Sequence, residues 1–269
     1  AREYFDLFTK EDLIIAPSQS GETADVLEVL EYAKKKGVAI ATVVNMPGSL
    51  MTRMSDYKFM CQAGPEICVV STKVFVSHIA WGYLLSKAAG GKFTQGAENI
   101  EFLAKSIEKY LDNKENISTI KKLAKKLEKS KDIFLLGKSQ NLQVMKEGMV
   151  KIIETTYKHA HAIPAGDLKH YAITLMEEGV PVIVALSNDV VRSDVINAIH
   201  EVRLRGAEVI GISSEKLESF DYFLPVPDTQ ETSAIMNVIP LQLLGYFIAV
   251  ELGNNVDKPR NIAKSVTVK

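Results

Sequence analysis

Ser18-Gln-Ser-Gly-Glu-Thr23 follows directly on the apolar run Leu13-Ile-Ile-Ala-Pro17 and leads into the amphipathic stretch Val26 to Lys36. That order reads as a strand, a hydroxyl-rich turn and a helix start. Such a turn faces unpaired backbone N–H groups and the positive end of a helix dipole. Ser18, Ser20 and Thr23 add hydroxyl donors, Gln19 adds an amide, and Gly21 lets the backbone come close. On these residues alone two readings stay open, a plain helix cap and a cradle for a phosphate. The Walker lysine and the dinucleotide fingerprint are both missing, which argues against P-loop and Rossmann-type nucleotide binding.

The chain repeats itself. A shift of 169 positions lays Leu13-Ile-Ile-Ala on Val182-Ile-Val-Ala, Ser18 on Ser187, Asp25 on Asp194 and Gly37 on Gly206. A shift of 165 then pairs Asp56-Tyr57 with Asp221-Tyr222 and Glu66 with Glu231. A period this long marks a duplicated α/β unit, not a solenoid of short repeats. The copies differ at the turn, where Ser20, Gly21 and Thr23 are replaced by Asp189, Val190 and Arg192. Asp189 repels a phosphate and Val190 puts a side chain where backbone must approach, so only the first turn is competent.

Strands are expected at 12–16, 38–44, 57–61, 132–136, 181–186, 208–212 and 222–225. Helices are expected near 22–36, 70–89, 98–111, 116–129, 140–158, 191–205 and 232–251. Alternation of this kind implies an α/β fold of parallel sheets covered on both faces, with ligands beyond the carboxyl ends of the strands. The domains are read as 1–112 and 113–254, followed by a tail, 255–269. The second copy has a strand and a helix ahead of its core that the first copy lacks, and the chain starts at Ala1 without methionine. A front piece of the first domain is therefore expected to be missing.

Among 269 residues, 32 lysines and arginines balance 33 acids, which offers no field for nucleic acid or an anionic membrane. Cys61 and Cys68 have no second pair beside them, so neither zinc site nor disulfide framework is indicated, and a reducing, cytoplasmic setting is expected. No uninterrupted apolar run reaches about 18 residues.

Glu147, Lys151 and Glu154 fall at i, i+4 and i+7 of a helix, opposite Leu142, Met145, Met149 and Ile152. By periodicity this stripe is a solvated face, its ion pair worth under about 1 kcal/mol. The helix then enters a histidine-dense loop, His159-Ala-His161 through Gly166-Asp-Leu-Lys-His170. No third ligand with suitable spacing accompanies His159 and His161, so no metal is expected. Histidine beside glutamate also suits proton transfer in aldose–ketose isomerisation. In the tail, Val266 and Val268 alternate with Ser265 and Thr267, which suggests that the end packs against something, although a disordered basic tail is the ordinary alternative. A lysine held there in a dry pocket can serve as an amine nucleophile.

Ser18 to Thr23, Glu66 to Lys73 (E-I-C-V-V-S-T-K), Glu147 to Glu154, Ala165 to His170 and the terminal Asp257 to Val268 together resemble the isomerase half of the glutamine–fructose-6-phosphate amidotransferase family. The resemblance implies two tandem sugar-isomerase (SIS) domains, each a flavodoxin-like three-layer α/β/α sheet. It implies that Ser18, Gln19, Ser20 and Thr23 hold the phosphate of a hexose 6-phosphate, and that Val69 and Ser71 line the sugar. It implies Glu154 as the base between C1 and C2, Lys151 beside it, His170 assisting ring opening from a neighbouring subunit of a homodimer, and Lys264 forming an imine with the open ketose. No cofactor is implied. The family's glutaminase domain, with its cysteine nucleophile, and its Cys-Gly-Thr-Ser segment are absent from this sequence, and Ile153, His161 and Tyr171-Ala172 replace the family's usual residues. A sugar-phosphate sensor without chemistry and a standalone amino-sugar-phosphate deaminase are the alternatives.

Overall fold

The computed structural model describes residues 2–267, which form two compact units, 2–86 with 260–267 and 87–259. In the first unit, β1 (Leu13–Ser18), β2 (Ala39–Val44) and β3 (Tyr57–Met60) make a parallel sheet in the order β1-β2-β3. Helices α1 (Ala24–Lys35), α2 (Leu50–Met54) and α3 (Lys73–Ala89) accompany it. Ile14, Ala16, Ile40 and Val44 pack with Leu30 and Ala33 of α1 and Met51 of α2.

The second unit opens with α4 (Phe93–Asp112) and α5 (Lys114–Leu127). They are followed by β4 (Asp132–Gly137), α6 (Gln140–Thr156), β5 (His159–Pro164), β6 (Pro181–Leu186), α7 (Arg192–Arg203), β7 (Glu208–Ser213), β8 (Tyr222–Pro225) and α8 (Ser233–Glu251). Its sheet is parallel, in the order β5-β4-β6-β7-β8. Phe134, Leu136, Val182, Val184 and Val209 face one core with Val195 and Ile199 of α7, while α5, α6 and α8 pack together over the opposite face. The stretch Gln230–Glu251 is long and apolar enough to cross a membrane by length and composition, with mean hydropathy 1.7, yet 67% of that window is buried.

The duplication is visible bond for bond. Asp56 accepts the Ile40 N–H at 2.8 Å and returns its own N–H to the Ile40 carbonyl at 2.9 Å. Asp221 does the same with Val209, at 2.8 and 2.9 Å. The strands β1, β2 and β3 thus correspond to β6, β7 and β8. The first sheet holds no counterparts of β4 and β5 among the described residues, so β1 is an edge. Every residue of its twin β6 is buried, whereas Leu13 and Ile15 of β1 remain 53% and 41% exposed.

One expectation needs correction. The histidine-dense segment is not a loop at its start: His159–Pro164 is edge strand β5, in register with β4 from Asp132 to Gly137. Helix α4 packs on α5 and α8 and belongs to the compact unit 87–259. Val268, half of the alternation noted in the tail, lies outside the described residues.

Candidate functional site

The turn after β1 is built around Gly21, which adopts φ +68°. A Cβ there would stand 2.2 Å from Ser49 Oγ and 2.6 Å from its Cβ, so glycine is required by the protein's own packing. Ser18 Oγ accepts the Gly21 N–H at 2.9 Å, and Ser20 Oγ accepts the Glu22 N–H at 3.2 Å. Both hydroxyls are thereby oriented with an O–H left to donate. Thr23 is the N-cap of α1, yet its side chain makes no capping hydrogen bond. The Glu22 carboxylate accepts the Leu50 N–H at 2.8 Å.

The tail closes on this turn. Ser265 Oγ stands 3.1 Å from Ser20 Oγ, and the Val266 carbonyl accepts the Ala24 N–H of the first turn of α1 at 3.1 Å. Lys264, half-buried, donates its ammonium to the Cys68 carbonyl. Cys68, Val69 and Ser71 belong to the loop between β3 and α3. The first unit therefore gathers Ser18, Gln19, Ser20, Thr23, the loop of Val69 and Ser71, and Lys264 into one neighbourhood. His78 of α3, not singled out from the sequence, lies under it: its Nε2–H donates to the Val43 carbonyl at 3.1 Å. Burial pushes the His78 ring below its ordinary pKa, only partly opposed by the Val43 and Ser18 carbonyls. A lone histidine within a hydrophobic helix gives no signal of that position.

In the second unit, the Glu147, Lys151 and Glu154 stripe is not a solvated face. Lys151 and Glu147 keep side-chain exposures of 7% and 10%, with Lys151 Nζ 3.0 Å from Glu147 Oε1, while Glu154 is 31% exposed and 3.4 Å from the ammonium. The cause is close approach of α6 and α8. A Cβ on Gly148 would meet Leu241 at 2.7 Å, one on Gly245 would lie 3.4 Å from the Lys151 backbone, and Thr155 Oγ1 donates to the Gly245 carbonyl at 3.1 Å. Burial raises the Glu147 carboxyl, opposed by Lys151 and reinforced by Glu154. The exposed positions of α6 are instead Gln140, Gln143, Lys146 and Ile153. His170 is exposed on the 3-10 turn Leu168–His170, its N–H bonded to the Asp167 carbonyl at 3.0 Å. His159 and His161 share the exposed face of β5, and no group of three or more His, Cys, Asp or Glu suited to a metal occurs among the described residues.

The second turn differs from the first as the substitutions imply. Ser187 Oγ accepts amide hydrogens from Asn141 at 2.9 Å and Asn237 at 3.1 Å. Asp189 caps the Val191 N–H at 3.0 Å, and Arg192 pairs with Glu215 at 2.8 Å. Its hydroxyl and its cation are both engaged by protein.

Parallel α/β units joined in tandem, with a hydroxyl-rich turn where a strand meets a helix in the first of them, define a duplicated α/β class. The SIS-domain family profile matches residues 2–88 and 126–251, and the chain belongs to that family. Proteins named glutamine–fructose-6-phosphate aminotransferase (isomerizing) from Pyrobaculum aerophilum and Clostridium tetani are 39% and 40% identical to it over 99% and 98% of this chain and 45% of each relative. The chain thus spans about half the length of the curated relatives it matches. The C-terminal domain of glucosamine-fructose-6-phosphate aminotransferase from Francisella tularensis superposes with TM-score 0.84 at 28% identity, over 91% of this chain and 72% of that one. A glucosamine-6-phosphate deaminase from Thermotoga maritima shares the fold, with TM-score 0.77 at 23% identity over 95% of this chain and 75% of that one.

Proposed function

We propose that the chain is the sugar-phosphate isomerase portion of a hexosamine-forming amidotransferase, converting fructose 6-phosphate and ammonia to glucosamine 6-phosphate and water. One observation carries the reading: the tail amine of Lys264 sits one residue from Ser265, which touches the Ser20 hydroxyl of the anion-cradling turn. A plain helix cap has no use for a lysine delivered beside it.

In this reading Ser18, Gln19, Ser20 and Thr23 hold the phosphate, and Val69 and Ser71 line the sugar. His170, reaching the site of a neighbouring subunit, shuttles a proton as the ring opens. The Lys264 amine adds to the C2 carbonyl and expels water to form an imine, and ammonia displaces the lysine. Glu154 takes a proton from C1 and returns one to C2, leaving an aldehyde at C1 and an amine at C2, with the Lys151 cation adjacent. Ammonia comes from a glutaminase domain of the full-length protein, a cytoplasmic homodimer of the hexosamine pathway towards UDP-N-acetylglucosamine. Glu154→Gln, assayed with fructose 6-phosphate and an ammonium salt, abolishes product while hexose 6-phosphate binding measured by calorimetry persists. Turnover equal to the parent chain refutes the assignment.

A further inference from the structure

Glu66 is 8% exposed and lies in the loop between β3 and α3. Its Oε1 accepts the Thr72 N–H at 3.2 Å, the Thr72 hydroxyl at 3.1 Å and the Lys73 N–H at 3.2 Å. Its Oε2 accepts the Ser71 hydroxyl at 3.1 Å and the Val74 N–H at 3.0 Å. Those donors occupy about all the lone-pair directions a carboxylate has, at the positive end of α3. Burial alone would raise this carboxyl, but the hydrogen bonds from Val74, Thr72 and Lys73 outweigh it and hold the group below the usual carboxylate range, so it is ionised.

The other end of the loop is pinned by Asn45, itself 8% exposed, which donates to the Gly64 carbonyl at 2.9 Å and accepts the Ala63 N–H at 3.1 Å. Between these anchors lie Cys68, whose carbonyl receives the Lys264 ammonium, and Val69. The second copy uses its matching acid differently. Glu231 is 49% exposed and pairs with Lys87, and Asp228 receives the Gln230 N–H and the Ser233 hydroxyl, both at 2.8 Å. The carboxylate that organises a loop in the first copy has therefore become a partly exposed ion-pair partner in the second.

We propose that Glu66 is a positioning residue of the sugar site: it fixes the loop so that the Cys68 carbonyl holds the Lys264 amine and the Ser71 hydroxyl faces the substrate as a hydrogen-bond acceptor. Ser71 spends its one O–H on Glu66, so only its lone pairs remain for a sugar hydroxyl. The sugar contact rests on the function proposed above; the restraint on Lys264 does not.

The test compares Glu66→Gln and Glu66→Ala with the parent chain, each checked for its unfolding midpoint. The rate at which an amine-directed acylating reagent labels Lys264 is read by peptide mass spectrometry. Lys158, held by the Glu128 and Ser130 carbonyls at 2.6 and 2.7 Å, is the internal reference. Labelling of Lys264 rises severalfold relative to Lys158 in both variants. Hexose 6-phosphate binding weakens about tenfold, the equivalent of one lost hydrogen bond, while inorganic phosphate binding at the turn is unchanged. Should either variant fail to fold, Ser71→Ala supplies the binding arm and Glu66→Asp, too short to reach all its donors, supplies the labelling arm. A folded Glu66 variant with parental Lys264 labelling overturns the proposal. If the parent chain binds no hexose 6-phosphate, the proposed function falls while the labelling arm still decides the role of Glu66.

Discussion

Replacing Gly21 by alanine tests whether the turn is shaped by its own packing. The residue sits at φ +68°, where an L-residue costs about 1–2 kcal/mol. The new methyl would also meet Ser49, which is 4% exposed and whose Oγ caps α2 by accepting the Thr52 N–H at 3.4 Å. Moving that side chain forfeits a cap worth about 1 kcal/mol and adds overpacking of about 1–3 kcal/mol. Together these give a loss of about 3–6 kcal/mol, at the upper end for a single substitution. The chain has one tryptophan, Trp81 on α3, packed at a tilt against Phe59 of β3 with ring centroids 5.2 Å apart, so its fluorescence in urea reports on the first unit. Adding Ser49→Gly to Gly21→Ala removes the collision with Ser49 and recovers the overpacking of about 1–3 kcal/mol, but neither the backbone penalty nor the cap, whose hydroxyl the double variant also lacks. A shift below about 1 kcal/mol in the single variant, or no recovery in the double, refutes the reasoning.

Lys151→Ala leaves Glu147 buried without its cation and destabilises the second unit by about 3–5 kcal/mol near neutral pH. Because burial already raises the Glu147 carboxyl, the loss shrinks as pH falls and that group takes up a proton; thermal unfolding at pH 7.5 and pH 5 checks this, and an equal loss at both contradicts it. His78 has a folded pKa below its unfolded one, so its contribution is complete above about 6.5 and is lost as pH falls below that value. Trp81-monitored unfolding between pH 8 and pH 5 should show this slope in the parent chain and a flatter one in His78→Gln. Gly82, exposed within α3 with nothing within 4 Å of an added Cβ, should accept alanine with a gain of about 0.5–1 kcal/mol.

Much of the architecture was legible because strand and helix periods and the internal repeat are local signals. The shifts of 169 and 165 found in sequence correspond to the shared hydrogen bonds of Asp56 and Asp221. Strand β5 escaped because an edge strand with His159 and His161 on its exposed face carries little apolar alternation. Short α2, Leu50–Met54, is one helical turn capped by Ser49 and too brief for periodicity to register. Charge spacing placed Glu147 and Lys151 on one face correctly but assigned that face to water. What buries them is the pair Gly148 and Gly245, whose missing side chains let two helices close, and such an effect depends on residues almost a hundred positions apart. The turn and the tail lysine were found from motif and resemblance, whereas the five hydrogen bonds of Glu66 form within a loop that has no period to read.

In the proposed function the tail amine beside the turn reacts with an open hexose phosphate. Incubating the chain with fructose 6-phosphate and cyanoborohydride, then mapping adducts by mass spectrometry, tests it directly. The expected result is a reduced sugar-phosphate adduct concentrated on Lys264 and suppressed by excess inorganic phosphate. Adducts spread evenly over exposed lysines, with Lys264 no faster than the rest, would contradict it.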